Sequence, residues 1–144
     1  SSFDKSEDKL SEVIGQRKIL SGDLGMLICL GSIASDYLVA LEKEPVRSRP
    51  SVWVVTKVPK KLTDLKPDFL SALSTSPRNI TVEENLGPSG FGMTLIFLLS
   101  QKRRYRTIEI EALFLHDLIF QNYGSQEYLK QMSGISSDQI LAKF

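Results

Sequence analysis

The chain has 144 residues and a formal net charge of +1, with 42% hydrophobic and 24% charged residues. These values are ordinary for one globular domain and exclude a disordered tail, and the near-neutral charge leaves nucleic acid or an anionic membrane to be met only by a local basic patch. One cysteine, Cys29, and one histidine, His116, exclude an intramolecular disulfide and a thiolate-based zinc or iron–sulfur site.

The first half of the chain predicts short strands mixed with helices. Residues 1–9 are polar, so we expect a flexible extension before a single globular domain over residues 10–144. A helix is predicted from Ser6 to about Gly15. The elements that follow are a possible strand at residues 18–20, a turn at 21–25, a buried strand at 26–30 with a helix as the alternative, a helix from Ile33 that stops before Pro45, a strand at 52–55 and a short helix from Pro67.

The second half predicts a hairpin followed by helices. Its predicted elements are a strand at residues 79–83, a loop at 85–90, a long apolar strand at 91–100, a hairpin turn at 101–104, an alternating strand at 105–111, a helix from about Leu113 to Gly124, and two short helices around 126–132 and 137–144. Because these elements do not alternate strictly, the predicted class is α+β: a mostly antiparallel sheet packed by several helices, with a helical C-terminal segment.

Three groups of side chains are candidates for catalysis, but none forms a recognisable reaction centre. His116 and Asp117 are neighbours on a predicted helix, where adjacent side chains point apart. Cys29 has apolar neighbours, which suppress thiolate formation. Glu109 and Glu111 share a predicted strand face that is typical of solvent exposure rather than of acid–base work or a divalent ion. We predict no catalytic residue, metal or cofactor, and keep a small hydrolase or transferase as a remote alternative.

Residues 87–92 form a glycine-rich loop. A phosphate-binding loop follows a strand and opens a helix, so that the helix N–H groups point at the anion. Because a strand is predicted after this loop and no lysine closes it, we predict a plain connector between antiparallel strands.

A basic cluster lies at the predicted hairpin. It is suited to phosphates, with the aromatic ring stacking on a base, to anionic lipid, or to an acidic protein partner, although cations at hairpin tips also serve solubility. A second basic stretch, residues 57–66, would enlarge this footprint only if the fold brought the two together. The predicted phosphate-binding or acidic-partner-binding residues are Lys102, Arg103, Arg104, Tyr105 and Arg106.

The C-terminal predicted helices are apolar on most sides. Such helices need cover on most sides, which either the domain core or a partner supplies. The predicted partner-binding residues are Phe120, Tyr123, Tyr128, Leu129, Met132, Ile140 and Phe144.

The lone cysteine favours a reducing compartment, so we expect an intracellular protein of the cytoplasm or nucleus. The chain has no run of about 18 apolar residues and no signal peptide, and its start without methionine predicts a fragment or a processed form.

We therefore predict a non-enzymatic protein-interaction or structural domain without a small-molecule substrate, which forms a homo-oligomer or binds a protein partner through its C-terminal helices. The alternative is an assembly component, virion matrix-like or nucleoprotein-associated, that binds nucleic acid or an anionic membrane through the basic hairpin.

Overall fold

A computed structural model describes residues 15–84, 90–114 and 136–144 of the chain. Its centre is a five-stranded mixed sheet with the strand order β1-β3-β2-β4-β5, so the predicted α+β class is confirmed. The strands are β1 (Gln16–Leu20), β2 (Met26–Leu30), β3 (Ser51–Val55), β4 (Asn79–Glu83) and β5 (Glu111–Phe114). The helices are α1 (Ile33–Leu41), α2 (Pro67–Thr75), α3 (Phe91–Ser100) and α4 (Ser137–Ala142).

The sheet is mainly parallel, so the predicted mostly antiparallel arrangement is wrong. β2 pairs in parallel with β3 and with β4, and β4 pairs in parallel with β5. Among the described strands only β1 runs antiparallel, against β3. The connectivity explains this result, because α1, α2 and α3 each carry the chain between two parallel strands, which a two-residue hairpin cannot do.

Residues 91–100, predicted as a strand, form the helix α3, and this difference accounts for the wrong sheet arrangement. Phe91, Leu95 and Leu98 recur with a helical period and are buried against the sheet. The expected hairpin is therefore also wrong, since α3 ends near Gln101 and the chain continues into a 3-10 turn at Arg103–Tyr105.

The segment after the 3-10 turn also differs from the prediction. Residues 108–110 have no regular structure, and strand pairing starts only at Glu111. Leu113 and Phe114, predicted to open a helix, belong to β5.

Both faces of the sheet are covered by helices. In β2, Leu27 and Cys29 pack with α1 and α4, whereas Met26 and Ile28 pack with α2 and α3. A strand covered on both faces needs no polar alternation, which explains the apolar run at residues 26–30 and removes the helix alternative for it.

The remaining predicted elements divide between confirmed and undescribed ones. The strands at residues 52–55 and 79–83 and the helices that begin at Ile33, Pro67 and Ser137 are confirmed. The predicted extension at 1–9, most of the helix from Ser6, and the predicted helical segments within 115–135 lie outside the described residues. None of the helices within the described ranges meets the length and hydropathy that a membrane span requires.

Candidate interaction surfaces

A buried carboxylate holds the N-terminus of α3. Glu83, the last residue of β4, is 1% exposed. Its Oε1 accepts a hydrogen bond from the Phe91 N–H and its Oε2 accepts one from the Gly92 N–H, each at 2.7 Å. The N-cap residue, Gly90, has no side chain with which to cap the helix, so Glu83 supplies the negative charge that a helix N-terminus favours.

The glycine-rich loop at residues 87–92 connects a strand to a helix whose first N–H groups bind Glu83. The loop follows β4 and leads into α3, which is the strand–loop–helix order of phosphate-binding loops and not a connector between antiparallel strands. The N–H groups of Phe91 and Gly92 are nevertheless already occupied by Glu83. The described contacts therefore favour a structural connection over a phosphate site.

Gly92 allows α3 to lie unusually close to the sheet. A Cβ at this position would be 2.5 Å from Thr81 Oγ1 and 2.7 Å from Ala112 Cβ. Both distances are shorter than real Cβ contacts, so the glycine sets the distance between α3 and the strands β4 and β5.

The described residues do not bring the catalytic candidates together. Cys29 is fully buried in the core that α1 covers. Glu109 is exposed and precedes β5, so it does not share a strand face with Glu111. His116 lies outside the described residues. Within the described part of the chain, no three histidine, cysteine, aspartate or glutamate side chains are grouped as a metal site requires.

Glu111 has a structural role at the start of β5. Its Oε1 lies 2.9 Å from Nη2 of Arg78, and its Oε2 lies 2.9 Å from Nζ of Lys143. These partly exposed ion pairs join the beginnings of β4 and β5 to the end of the chain after α4. The carboxylate is thus held between two cations, an arrangement that fits a surface link better than a general base.

Two of the predicted partner-binding residues belong to the core region. Ile140 is fully buried in the cluster that includes α1, and Phe144 is half-buried against the same cluster. The Phe144 ring also lies over Gly25, where it would be 3.0 Å from an added Cβ. Ile140 is therefore a core residue rather than an exposed contact, whereas Phe144, which is partly exposed, stays a predicted partner-binding residue. The other predicted residues, Phe120, Tyr123, Tyr128, Leu129 and Met132, lie outside the described residues.

The basic cluster at residues 102–106 follows α3, and its four cations are exposed. The Arg106 Nε donates a hydrogen bond to the Ser100 carbonyl at 2.9 Å. The Arg104 guanidinium lies 5.0 Å from the centre of the Tyr105 ring, a cation–π distance. Tyr105 is half-buried against the core under α2 and α3, so its ring is an edge of that core rather than a free stacking platform.

A groove, which we call the α2 groove, separates the basic cluster from α2 and the Leu62–Asp64 turn. One part of about 230 Å³ lies between Leu62 and Lys102. A second part of about 400 Å³ follows α2 from Pro67 to Thr75. Leu70, Arg104 and Tyr105 line both parts. The fold thus places the basic cluster beside the turn at Leu62–Asp64, which lies within the second basic stretch of the sequence.

A larger cavity of about 650 Å³ lies at the amino end of β4 and β5, and Ser74 lines both this cavity and the α2 groove. Asn79 crosses this region, since its Nδ2 donates hydrogen bonds to the carbonyls of Leu73 at 3.2 Å and Glu109 at 3.3 Å. Open parallel sheets bind ligands outside the carboxyl ends of their strands. The position of this cavity therefore does not favour a binding site, despite its size.

The outer face of α3 is apolar, a feature that the sequence analysis missed. Phe97 is 63% exposed and Met93, four residues earlier on the same side, is 42% exposed. Ile96 is half-buried beside them. The polar side chains of Thr94 and Ser100 are turned to the helix backbone, where their hydroxyls donate to the carbonyls of Gly90 and Phe97.

A surface helix normally presents polar residues to water, so this face departs from the usual pattern. We call Met93, Ile96 and Phe97 together the α3 outer face.

No protein-family model matches the sequence, and no curated protein matches it. Among the solved structures, the chain is similar to a split-gene transketolase described as an inactive beta4 tetramer, with a TM-score of 0.65 at 16% sequence identity. The match covers 88% of this chain and 40% of that chain. This fold is one that a transketolase chain also contains. At such low identity the likeness shows the fold alone.

Proposed function

We propose that this chain is a non-enzymatic association domain that joins copies of its protein through the α3 outer face. The observation that carries the proposal is the exposure of Phe97 and Met93, one turn apart on the same face of α3. Single exposed apolar residues are common on protein surfaces, but adjacent ones on one helix face are typical of an interface. Aromatic residues and methionine are enriched at such contacts.

The structural neighbour is compatible with an assembly role. It is described as a tetramer and as inactive in that form, and this chain corresponds to 40% of its length. We infer that this chain is likewise one module of a larger transketolase-like assembly, in which it contributes contacts between chains and not the reaction itself.

The positions of the acidic and thiol side chains support the non-enzymatic part of the proposal. Glu83 caps α3, Glu111 links β4, β5 and the chain end, and Cys29 fills the core. Each candidate that the structure describes, apart from the exposed Glu109, thus has a structural role. Partner binding by the predicted C-terminal residues within 115–135 stays a prediction, in addition to the contact proposed for the α3 outer face.

Sedimentation velocity over a concentration series tests this proposal. We expect the wild-type chain to show a mass that rises with concentration. A Phe97→Ser variant removes an apolar contact from both copies, which weakens association by roughly 2–4 kcal/mol, or about 30- to 1,000-fold in dissociation constant. A Met93→Ser variant should weaken it in the same direction but by less, since Met93 is less exposed.

Val39→Ser is the matched control. The exposed fraction of Val39, 58%, is similar to that of Phe97, but Val39 lies on α1, which covers the opposite face of the sheet. Its substitution should leave the concentration dependence unchanged. A wild-type chain that stays monomeric at every concentration, or a Val39→Ser effect equal to that of Phe97→Ser, would contradict the proposal.

A further inference from the structure

We propose that the α2 groove binds an acidic peptide segment of a protein partner, with an apolar side chain of that segment seated on the groove floor. This site lies outside the α3 outer face and does not depend on self-association.

The floor of the groove is apolar. Leu62, Leu70 and the Tyr105 ring line it, and Leu65 beneath them is only 3% exposed. The two parts have volumes of about 230 and 400 Å³ and share Leu70 and Tyr105, so they lie side by side along α2, and the larger one reaches the size of ordinary ligand sites. A trough open to solvent along a helix suits an extended peptide better than an enclosed small molecule.

The charged residues that line the groove are cations. Lys102 and Arg104 lie on its rim, and Arg104 is oriented by its contact with the Tyr105 ring. Arg103 and Arg106 are exposed in the same short segment. A chain with 18 basic and 17 acidic residues overall therefore concentrates positive charge at one site. Such a rim attracts a partner of opposite charge and orients it.

The acids nearest to the groove in sequence are turned to their own loop. Asp64 Oδ2 accepts the backbone N–H groups of Lys60 at 2.9 Å and of Lys61 at 3.2 Å. Asp68 accepts the Phe69 N–H and lies 3.9 Å from Lys66 Nζ. These contacts leave the cations of the rim available to a partner carboxylate.

Peptide is favoured over nucleic acid by the state of the aromatic ring. Single-stranded nucleic acid needs aromatic faces on which its bases stack. Arg104 covers one face of Tyr105, and the ring packs against the core. The groove instead offers aliphatic contacts beside fixed cations, which match apolar and acidic side chains.

Fluorescence anisotropy on the full chain tests the site. The probe is a labelled six-residue peptide in which two acidic residues flank a leucine–phenylalanine pair on each side. We expect saturable binding that weakens as salt rises and a dissociation constant that increases about tenfold or more in the double variant Lys102→Ala/Arg104→Ala. The matched control, Arg17→Ala/Arg47→Ala, removes two exposed cations outside the groove and should bind like the wild type.

Two comparison probes separate the proposed contact from general charge attraction. The same peptide with serines in place of leucine and phenylalanine should bind at least several-fold more weakly, because the apolar floor is then unused. A thymidine oligonucleotide of equal charge and vesicles containing an anionic lipid should bind more weakly than the peptide. Equal or tighter binding of any of these probes, absence of peptide binding, or equal loss in the two double variants would overturn the proposal. A Phe97→Ser variant should still bind the peptide, so this test fails or succeeds separately from self-association.

Discussion

At the scale of single residues, the most informative side chain is Glu83. The sequence shows two adjacent glutamates at the end of a predicted strand, but it cannot show that the first points inward to the start of a helix. That fact depends on β4 and α3 being neighbours in space, which is a tertiary property. Once they are neighbours, two N–H groups without partners in the helix and one carboxylate satisfy each other inside the protein.

The variant Glu83→Gln should destabilise the domain. The side-chain amide has nearly the same shape, but it loses the negative charge and turns an N–H group toward one of the two backbone donors. We expect a loss of about 1.5–3 kcal/mol in the free energy of unfolding, measured by urea titration at neutral pH. Glu109→Gln, at an exposed position, should change it by less than about 0.5 kcal/mol. Equal effects of the two substitutions would show that the cap contributes nothing.

Asp64 provides a test of pH dependence. Hydrogen bonds from the backbone N–H of Lys60, and then of Lys61, lower the pKa of the Asp64 carboxyl below its ordinary value. A group whose pKa is lower in the folded state stabilises the fold above its unfolded pKa, and this contribution is lost as the pH falls through the folded pKa. The variant Asp64→Asn should therefore be less stable than the wild type at neutral pH, and the difference should vanish in strong acid. A difference that is constant with pH would contradict this interpretation.

At the scale of elements, α3 decides how well sequence reasoning performs. Its ten residues lie at the upper limit of usual strand length, and buried Phe91, Leu95 and Leu98 have helical spacing. Both signals are present in the sequence, but the nearly continuous apolar character conceals the period. The period is concealed because Met93 and Phe97, on the exposed outer face, fill positions where a solvated helix carries polar residues.

The close approach of α3 to the sheet predicts the effect of Gly92→Ala. Alanine gains up to about 1 kcal/mol in helix propensity, but overpacking a buried contact costs about 1–3 kcal/mol. With two contacts shorter than 3 Å, we expect the cost to dominate and a net loss of roughly 1–2 kcal/mol in urea denaturation. The double variant Gly92→Ala/Ala112→Gly should recover part of this loss, because the Ala112 Cβ is one of the two obstructing atoms. A more stable Gly92→Ala variant would contradict the packing described here.

At the scale of the whole molecule, one misassigned element changed the predicted topology. With residues 91–100 assigned as a helix, strands and helices alternate from β2 to β5, and alternation predicts a parallel sheet. The apolar runs at residues 26–30 and 52–55 were correctly assigned because strands covered on both faces lose their polar alternation. The strand order β1-β3-β2-β4-β5 could not be predicted in this way, because it is set by packing between distant segments and has no local sequence signal.

The candidate surfaces also divide into one that has a local sequence signal and one that depends on how distant segments pack. Residues 102–106 were identified as a basic cluster from composition alone, and the structure adds the groove beside them. The expectation of surplus apolar helix surface named residues near the chain end, of which Ile140 is buried while those within 115–135 lie outside the described residues. Which apolar residues remain exposed depends on which helix faces meet the sheet. For that reason the α3 outer face emerged only from the fold.

Cross-linking through a cysteine placed on the α3 outer face tests the central claim most directly. A contact with two-fold symmetry uses the same patch on both copies, so residues near the symmetry axis meet their own counterparts. The native Cys29 is fully buried and leaves the introduced thiol as the reactive one. Under mild oxidation, Met93→Cys should give a covalent dimer on a non-reducing gel, whereas Val39→Cys should remain a monomer. A Met93→Cys chain that stays monomeric, or that cross-links no more than Val39→Cys, would contradict the account.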